Sequence, residues 1–175
     1  MLSTSAGDRI DTPDHADFAF GSGDFTLECF VRFPTTAGTK GLIFQGTGAG
    51  SRSFMMYVGA SNMDLFFSSD GTAFTDVART WNYSINTWYH AAVVRSGANL
   101  MFFADGTQLG TTYDISTTSL FNSSAVCGIG DTNDIGEGPN CWVDEIRVSN
   151  TARWTANFTA PASAYTCADA NTKLL

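Results

Sequence analysis

Two adjacent carboxylates, Asp144 and Glu145, stand between apolar residues in the stretch WVDEIRVSN, residues 142 to 150. Two carboxyl groups about 5 to 9.5 Å apart could serve as the acid and base, or acid and nucleophile, of glycoside hydrolysis. In a strand, however, successive side chains point to opposite faces. This alternation places Asp144 with Ile146 and Val148, and Glu145 on the other face, so the two acids cannot converge on one substrate atom. A carboxylate in an apolar row needs a partner.

The two histidines offer little support for catalysis. His15 lies in the polar stretch TPDHADF with no Ser or Cys partner nearby, so a nucleophilic triad has no basis. His90, in WYHAAVVR, alternates with Trp88 and Ala92. We interpret His90 as a satisfied structural histidine rather than a catalytic one.

One predicted loop carries aromatic residues suited to sugars. Sugars bind through aromatic faces stacked on pyranose C–H groups and through amides and carboxylates that bond hydroxyls. The loop RTWNYSINT, residues 79 to 87, contains Trp81, Asn82 and Tyr83. Trp81 and Tyr83 are therefore candidate carbohydrate-binding residues. The alternative is that both rings pack at the end of the fold.

A second predicted loop, DTNDIGEGPN at residues 131 to 140, is acidic. Its candidate carbohydrate-binding residues are Asp131, Asn133 and Asp134. The loop could instead be a solvated turn, or it could bind calcium, because hard cations take clustered carboxylate, amide and carbonyl oxygens. Its spacing does not match the register of an EF-hand.

Composition limits the classes of partner. The chain has 175 residues, is 43% hydrophobic and carries a net charge of −8, which indicates one domain over residues 1 to 175 with an ample core. The acidic balance gives no support for nucleic acid as a partner. No apolar run is long enough to insert into a membrane. The N-terminus MLSTSAGDRIDTPD lacks the basic region and the apolar region of a signal peptide.

Four cysteines, at positions 29, 127, 141 and 167, show no Cys-x-x-Cys spacing, so we do not expect a zinc site. Cys127 and Cys141 lie in consecutive predicted strands and could face each other across a hairpin. Free buried thiols are the alternative, as expected for a protein made in a reducing cytoplasm.

The sequence predicts that the elements carrying these residues are β-strands. Helical spacing is almost absent, whereas short runs rich in β-branched and aromatic residues alternate with Gly, Ser, Thr, Asn and Asp. Predicted strands lie at about 24–33, 41–46, 52–58, 63–68, 74–79, 87–95, 98–104, 107–112, 125–130 and 141–149. Asp70-Gly71 and Asp105-Gly106 are typical of type I′ hairpins. We predict an all-β, two-sheet antiparallel sandwich.

Three motifs occur in an order that resembles a known family. They are GSGDFTLECFVRF, NTWYHAAVVRSGANLMFFADGTQLG and CWVDEIRVSNTARWTANFTAP. In order and spacing they resemble the laminin G-like jelly-roll modules of the concanavalin A-like lectin/glucanase superfamily, and the match covers essentially residues 7 to 165. Modules of this kind occur in phage tail and adhesion proteins and in bacterial surface proteins. The resemblance implies a jelly-roll fold of two curved antiparallel sheets.

The resemblance also bears on catalysis and on metal binding. The related glucanases carry Glu-x-Asp-x-x-Glu or a close variant on one strand, whereas this chain has only Glu28, Glu137 and Glu145 and no such motif. We therefore predict that it is not an enzyme, although a pair of aspartates stays open. Related modules place a structural calcium on the Asp of a strand similar to VDEIRV, which would make Asp144 a metal ligand. The alternative for Asp144 is hydrogen bonding to the backbone, Arg147 or Arg153.

The resemblance implies a non-catalytic module that binds a glycan or cell-surface polysaccharide. The expected setting is a phage virion, such as a tail fibre used in host adhesion, or another extracellular surface assembly. Its other proteins would be further partners, and a homo-oligomer stays open. The alternative is a structural decoration or cement protein of the virion that has no sugar site. A polysaccharide hydrolase is the third interpretation.

Overall fold

The computed structural model of the protein describes residues 2–4, 8–46, 48–130, 140–165 and 169–175. A short 3₁₀ helix covers Ala16–Phe18. The described strands are β1 Leu2–Thr4, β2 Arg9–Thr12, β3 Phe25–Arg32, β4 Lys40–Gln45, β5 Phe54–Val58, β6 Asn62–Phe67, β7 Thr75–Thr80, β8 Trp88–Ser96, β9 Asn99–Ala104, β10 Thr107–Gln108, β11 Tyr113–Asp114, β12 Cys127–Gly130, β13 Cys141–Ser149 and β14 Thr172–Leu174.

These strands form two sheets that pack face to face. Sheet A has the order β1-β13-β3-β8-β9-β10, with β11 paired to β9 and β14 to β13, and sheet B has the order β2-β12-β4-β5-β6-β7. Every pairing in the described part of the chain is antiparallel. The prediction of an all-β, two-sheet antiparallel jelly-roll sandwich is confirmed. Among the described residues, no helix has the length and apolar character needed to cross a membrane.

The main core lies between the sheets because each strand alternates inward and outward side chains. In β5, Phe54, Met56 and Val58 join this core, whereas Met55 and Tyr57 belong to a separate cluster on the outer face of sheet B. Full burial of an apolar side chain of this size stabilises the fold by about 1.5–3 kcal/mol. The alternation therefore leaves the outer faces to position functional groups.

The two Asp-Gly pairs behave differently. Asp105 and Gly106 have φ of 48° and 76° and join β9 directly to β10, as a type I′ turn requires. Asp70-Gly71 instead lies within a longer loop, residues 68–74. There the Asp70 carboxylate accepts hydrogen bonds from the backbone N–H groups of Thr72 and Ala73 at 2.7 and 3.0 Å. The prediction of a two-residue hairpin at this second position is wrong, because the side chain caps a wider turn.

The cysteine hairpin is also corrected. β12 belongs to sheet B and β13 to sheet A, so Cys127 and Cys141 do not face each other across a hairpin. The chain crosses from one sheet to the other between these strands. Cys29 and Cys127 are buried free thiols.

A bulge in β13 changes which faces its side chains occupy. Asp144 pairs with Phe30, but the next paired residue, Arg147, lies opposite Glu28. Two residues of β13 are thus accommodated where β3 has one, and Glu145 takes a left-handed φ of 49° to make this possible. Alternation is interrupted at this point of the strand.

The bulge overturns the predicted grouping of Asp144 with Ile146 and Val148. Val143 and Val148 both belong to the core and Ile146 packs against it, so the inward row changes parity within the strand. Asp144 pairs across the sheet with Phe30 and is half-buried on the outer face of sheet A.

Residues 150–165 form an irregular segment that covers part of the outer face of sheet A. Trp154 and Phe158 stack at a centroid distance of 3.9 Å and an interplanar angle of 8°. Both pack on a buried patch of sheet A formed by Ala92, Val94, Met101 and Phe103. At one end of the outer face, beside this covering segment (residues 150–165), Trp88 is 37% exposed.

Candidate functional site

Trp81 and Tyr83 are part of the core. Their side chains are 5% and 8% exposed, and both pack on Phe33 at centroid distances of 6.0 and 4.5 Å. The Tyr83 hydroxyl donates to the Gly59 carbonyl at 2.9 Å and lies 3.3 Å from the Lys40 ammonium. A sugar cannot stack on either ring without displacing this packing. The structure therefore supports the alternative, packing at the end of the sandwich.

The acidic loop cannot be assessed in the same way. Asp131, Asn133 and Asp134 lie outside the described residues, as does Glu137. Their role in carbohydrate binding stays a prediction.

Asp144 lies beside the bulge. Its Oδ1 accepts a hydrogen bond from the Glu145 backbone N–H at 3.1 Å. Of the two arginines considered as its donors, Arg147 pairs with Glu28 and Arg153 with Asp169. Within the described ranges, no group of three or more His, Cys, Asp or Glu side chains could hold a metal ion. Calcium binding by Asp144 together with backbone carbonyls stays a prediction.

His90 belongs to a buried ionic cluster centred on Glu28. Glu28 is fully buried, and its Oε1 accepts a hydrogen bond from Arg147 Nε at 2.7 Å and forms an ion pair with Arg147 Nη2 at the same distance. Its Oε2 accepts from Trp154 Nε1 at 2.8 Å and lies 3.1 Å from His90 Nε2. Burial alone would raise the pKa of Glu28, but the hydrogen bonds from His90 and Trp154 and the charge of Arg147 outweigh it and hold the pKa below its usual value. The cluster joins β3, β8, β13 and the covering segment, which is a structural role.

The outer face of sheet B carries a different arrangement of aromatic and acidic side chains. Cross-strand pairing places Met55 beside Phe66 and Phe66 beside Asp76. In the adjacent row, Tyr57 pairs with Asp64. The rings of Tyr57 and Phe66 meet edge to face at a centroid distance of 4.7 Å. Their edges and faces form an apolar floor beside the two carboxylates.

One cavity of about 410 Å³, which we name the Asp64 pocket, lies among these side chains. It is lined by Tyr57, Asn62, Asp64, Phe66 and Asp76. The Asn62 amide donates to Asp64 Oδ2. The remaining walls come from residues 38–39 and 59–60, with two glycines among them. The volume falls in the range of about 300–1,000 Å³ that is usual for small-ligand sites.

Burial sets the electrostatics of this pocket. Asp64 is 4% exposed, and burial raises its pKa to about 6, with a further upward contribution from the charge of Asp76 and a downward one from the Asn62 hydrogen bond. Burial also raises the pKa of Asp76. Ionised, the two carboxylates repel each other and are incompletely solvated, so donor groups of a ligand would stabilise them.

Sequence reasoning missed these residues although part of the signal was present. In NMDLFF, alternation puts Asp64 and Phe66 on one face and Met63, Leu65 and Phe67 on the other. Which residue of the neighbouring strands meets Asp64 depends on register and on a long loop, and local alternation contains neither. Chemically, the pocket offers acceptors for hydroxyl groups and one half-buried ring, Phe66, for an apolar sugar face, whereas Tyr57 is only 1% exposed and supports Phe66 from below.

Several solved structures share the fold. They include the binding domain of botulinum neurotoxin serotype G (12% identity, TM-score 0.65), the binding domain of Paraclostridial Mosquitocidal Protein 1 (12%, 0.66) and the binding domain of botulinum neurotoxin DC in complex with SialylT (10%, 0.62). Each match covers 86% of this chain and 39% of the other, so this chain spans about two fifths of those structures. At such identities the likeness concerns the fold alone.

Comparison with curated protein sequences gives no significant match. A laminin G family model, described as concanavalin A-like lectin/glucanases superfamily, matches residues 4–157. This range spans β2 to β13 and most of the sandwich, in agreement with the resemblance of the three sequence motifs. The protein belongs to the concanavalin A-like lectin/glucanases superfamily.

Proposed function

We propose that the protein is a non-catalytic module that binds a cell-surface carbohydrate, and that the glycan occupies the Asp64 pocket. The observation that carries this proposal is that two carboxylates, Asp64 and Asp76, and the amide of Asn62 line one cavity with the rings of Tyr57 and Phe66. Carboxylate and amide oxygens accept hydrogen bonds from sugar hydroxyls, and the half-buried Phe66 is the ring on which the C–H groups of a pyranose can pack.

The superfamily and the solved relatives support a binding role. The structures most useful for comparison are binding domains of toxins, one of them in complex with SialylT. This property belongs to those proteins, and identity of 10–12% does not transfer their ligands to this chain. The shared fold nevertheless is one on which ligand-binding faces are built.

Glycan-array screening followed by calorimetry tests the proposal. Wild-type protein should bind at least one glycan, and Asp64→Asn, Asp76→Asn and Phe66→Ala should each weaken that binding about tenfold, the loss of about 1.4 kcal/mol expected for one good contact. Asp114→Asn is the matched control, because Asp114 is an exposed aspartate on β11 of the other sheet. Absence of binding to any glycan, or equal loss in the control, would overturn the proposal.

The same pair of carboxylates raises a hydrolase as the second candidate. A carboxyl group whose pKa is about 6, as for Asp64, could donate a proton near neutral pH. The hydrogen bond from Asn62 and the near-complete burial of Asp64 favour binding over proton transfer to a glycosidic oxygen. Release of reducing ends from a bound polysaccharide, abolished by Asp64→Asn, would establish the hydrolase instead.

For the biological setting we propose a phage virion or a bacterial surface assembly, with other proteins of that assembly as partners. A decoration or cement protein without a sugar site is the competing function. The bulky floor formed by Phe44, Met55 and Tyr57 on the outer face of sheet B favours that competitor. Recovery of the chain in purified particles, together with failure on glycan arrays, would select it.

A further inference from the structure

A row of three large side chains crosses one end of the outer face of sheet A, where Trp88 is exposed and Arg32 and Trp142 are half-buried. Trp142 on β13 pairs with Arg32 on β3, and Arg32 pairs with Trp88 on β8. Paired residues project from the same face. The Arg32 guanidinium lies 4.8 Å from the centroid of the Trp142 ring. We name these residues the Trp–Arg–Trp row.

Arg32 is poorly satisfied compared with other arginines of the chain. Its only hydrogen bond in the described part is from Nη2 to Asn86 Oδ1 at 3.5 Å, and its buried Nε has no partner there. By contrast, Arg95 donates to three carbonyls at 3.1 to 3.3 Å, and Arg147 contacts Glu28 at 2.7 Å. In a chain of net charge −8, a guanidinium with no carboxylate partner among the described residues is suited to an incoming anion.

The surroundings add an apolar surface and hydrogen-bond acceptors. Trp88 is 37% exposed, which is unusual for a tryptophan in a central strand. Next to it, a cavity of about 290 Å³ is lined by Phe30, Trp88, Asp144, Glu145 and residues 161–164. Glu145 takes a left-handed φ of 49° at the bulge, and its Oε2 accepts a hydrogen bond from the Tyr165 backbone N–H at 2.6 Å, which holds this acidic wall of the cavity in place. Backbone conformations of this kind are often retained where a site must be shaped.

We propose that this end of sheet A binds a saccharide that carries a carboxylate, such as a uronic or nonulosonic acid residue. The ligand carboxylate binds the Arg32 guanidinium, whose planar fork matches it. The pyranose ring packs on Trp88, and hydroxyl groups on the far side donate to Asp144 and Glu145. The two poles of the site orient the sugar, because its anionic group is attracted by Arg32 and repelled by the acidic wall.

This site is independent of the Asp64 pocket. The Trp–Arg–Trp row lies on the outer face of sheet A and the Asp64 pocket on the outer face of sheet B, with the main core between them. Asp64→Asn should therefore leave binding at the row unchanged, and Arg32→Gln should leave binding in the pocket unchanged. Failure of one proposal is thereby distinguishable from failure of the other.

Calorimetry and tryptophan fluorescence with four probes test the inference: methyl β-D-glucuronide, the methyl glycoside of N-acetylneuraminic acid, methyl β-D-glucoside and acetate. At least one of the two acidic sugars should bind at least tenfold more tightly than the glucoside and than acetate, and which one does so identifies the source of the carboxylate. Arg32→Gln and Trp88→Ala should each weaken that binding at least tenfold. Ile85→Ala is the control, because Ile85 is an exposed apolar residue outside the row.

Equal affinity for glucuronide and glucoside, or binding no tighter than that of acetate, would overturn the inference. Binding unaffected by Arg32→Gln would do the same. Melting curves establish that each variant is folded. If Arg32→Gln is not, Arg32→Lys keeps the charge but loses the fork, and it should still weaken binding of the acidic sugar several-fold.

Discussion

Replacing Glu28 by Gln should destabilise the fold strongly. Glu28 is fully buried and accepts hydrogen bonds from Arg147, Trp154 and His90. A glutamine at this position removes the negative charge that compensates Arg147. Its NH₂ group would also face N–H groups that now donate to the Glu28 carboxylate. Removing one partner from a buried ion pair costs about 3–5 kcal/mol. For a chain of this size, that loss corresponds to a fall in Tm of roughly 6–20 °C.

Urea unfolding of wild type and Glu28→Gln, followed by tryptophan fluorescence, measures this loss directly. Asp169→Asn is the matched control, since it also removes a carboxylate paired with an arginine, Arg153, but at an exposed position. We expect no resolvable change in the control, because exposed ion pairs contribute little. If Glu28→Gln unfolds at the wild-type urea concentration, the cluster does not secure the covering segment and the reasoning fails.

The pH dependence supplies a second readout of the same cluster. The pKa of Glu28 is lower in the folded protein than its usual value. The folded state therefore binds the proton more weakly than the unfolded state, and the stability that this group contributes is present above the usual glutamate pKa and lost as pH falls through the folded value. Wild type should lose stability in acid more steeply than Glu28→Gln.

Three further outcomes are expected. Burial raises the pKa of Asp64 to about 6, so the stability that its protonated form contributes is present below its unfolded pKa and is lost as pH rises through about 6. The free energy of unfolding measured in urea should therefore be about 1–2 kcal/mol lower at about pH 8 than at about pH 5, after solvent screening, and Asp64→Asn should remove this difference. Trp81→Ala should cost about 3–5 kcal/mol in the same assay, because it empties a core site, and a fully stable variant that has lost sugar binding would contradict this. EDTA should lower the Tm of wild type but not of Asp144→Ala, whereas a wild type indifferent to EDTA would exclude the proposed calcium.

Much of the fold follows from local pattern. The long central strands, such as β3, β8 and β13, were predicted within one or two residues, because they are long runs rich in β-branched and aromatic residues. The edge strands β1, β2, β11 and β14 were not predicted. Each has only two to four residues, so its sequence carries little periodicity.

The residues of the Asp64 pocket were not predicted, because they meet through strand pairings that local sequence does not contain. Trp81 and Tyr83 have the side chains of a sugar site, but contact with Phe33 from a distant strand turns them into core. No local feature of the sequence distinguishes Asp64 and Asp76 from surface aspartates. The register of β6 and β7 brings them into one pocket.

The amino-acid sequence by itself determined the all-β class, the positions of the central strands and the lack of a glucanase-type glutamate motif, since each is a property of short stretches. Tertiary structure alone decided how the carboxylates are used. The bulge at Glu145 inverts the faces of β13 and moves Asp144 out of its predicted row. Glu28 finds its donors on two other strands and the covering segment. Both outcomes depend on register and packing between residues far apart in the chain, which no local periodicity encodes.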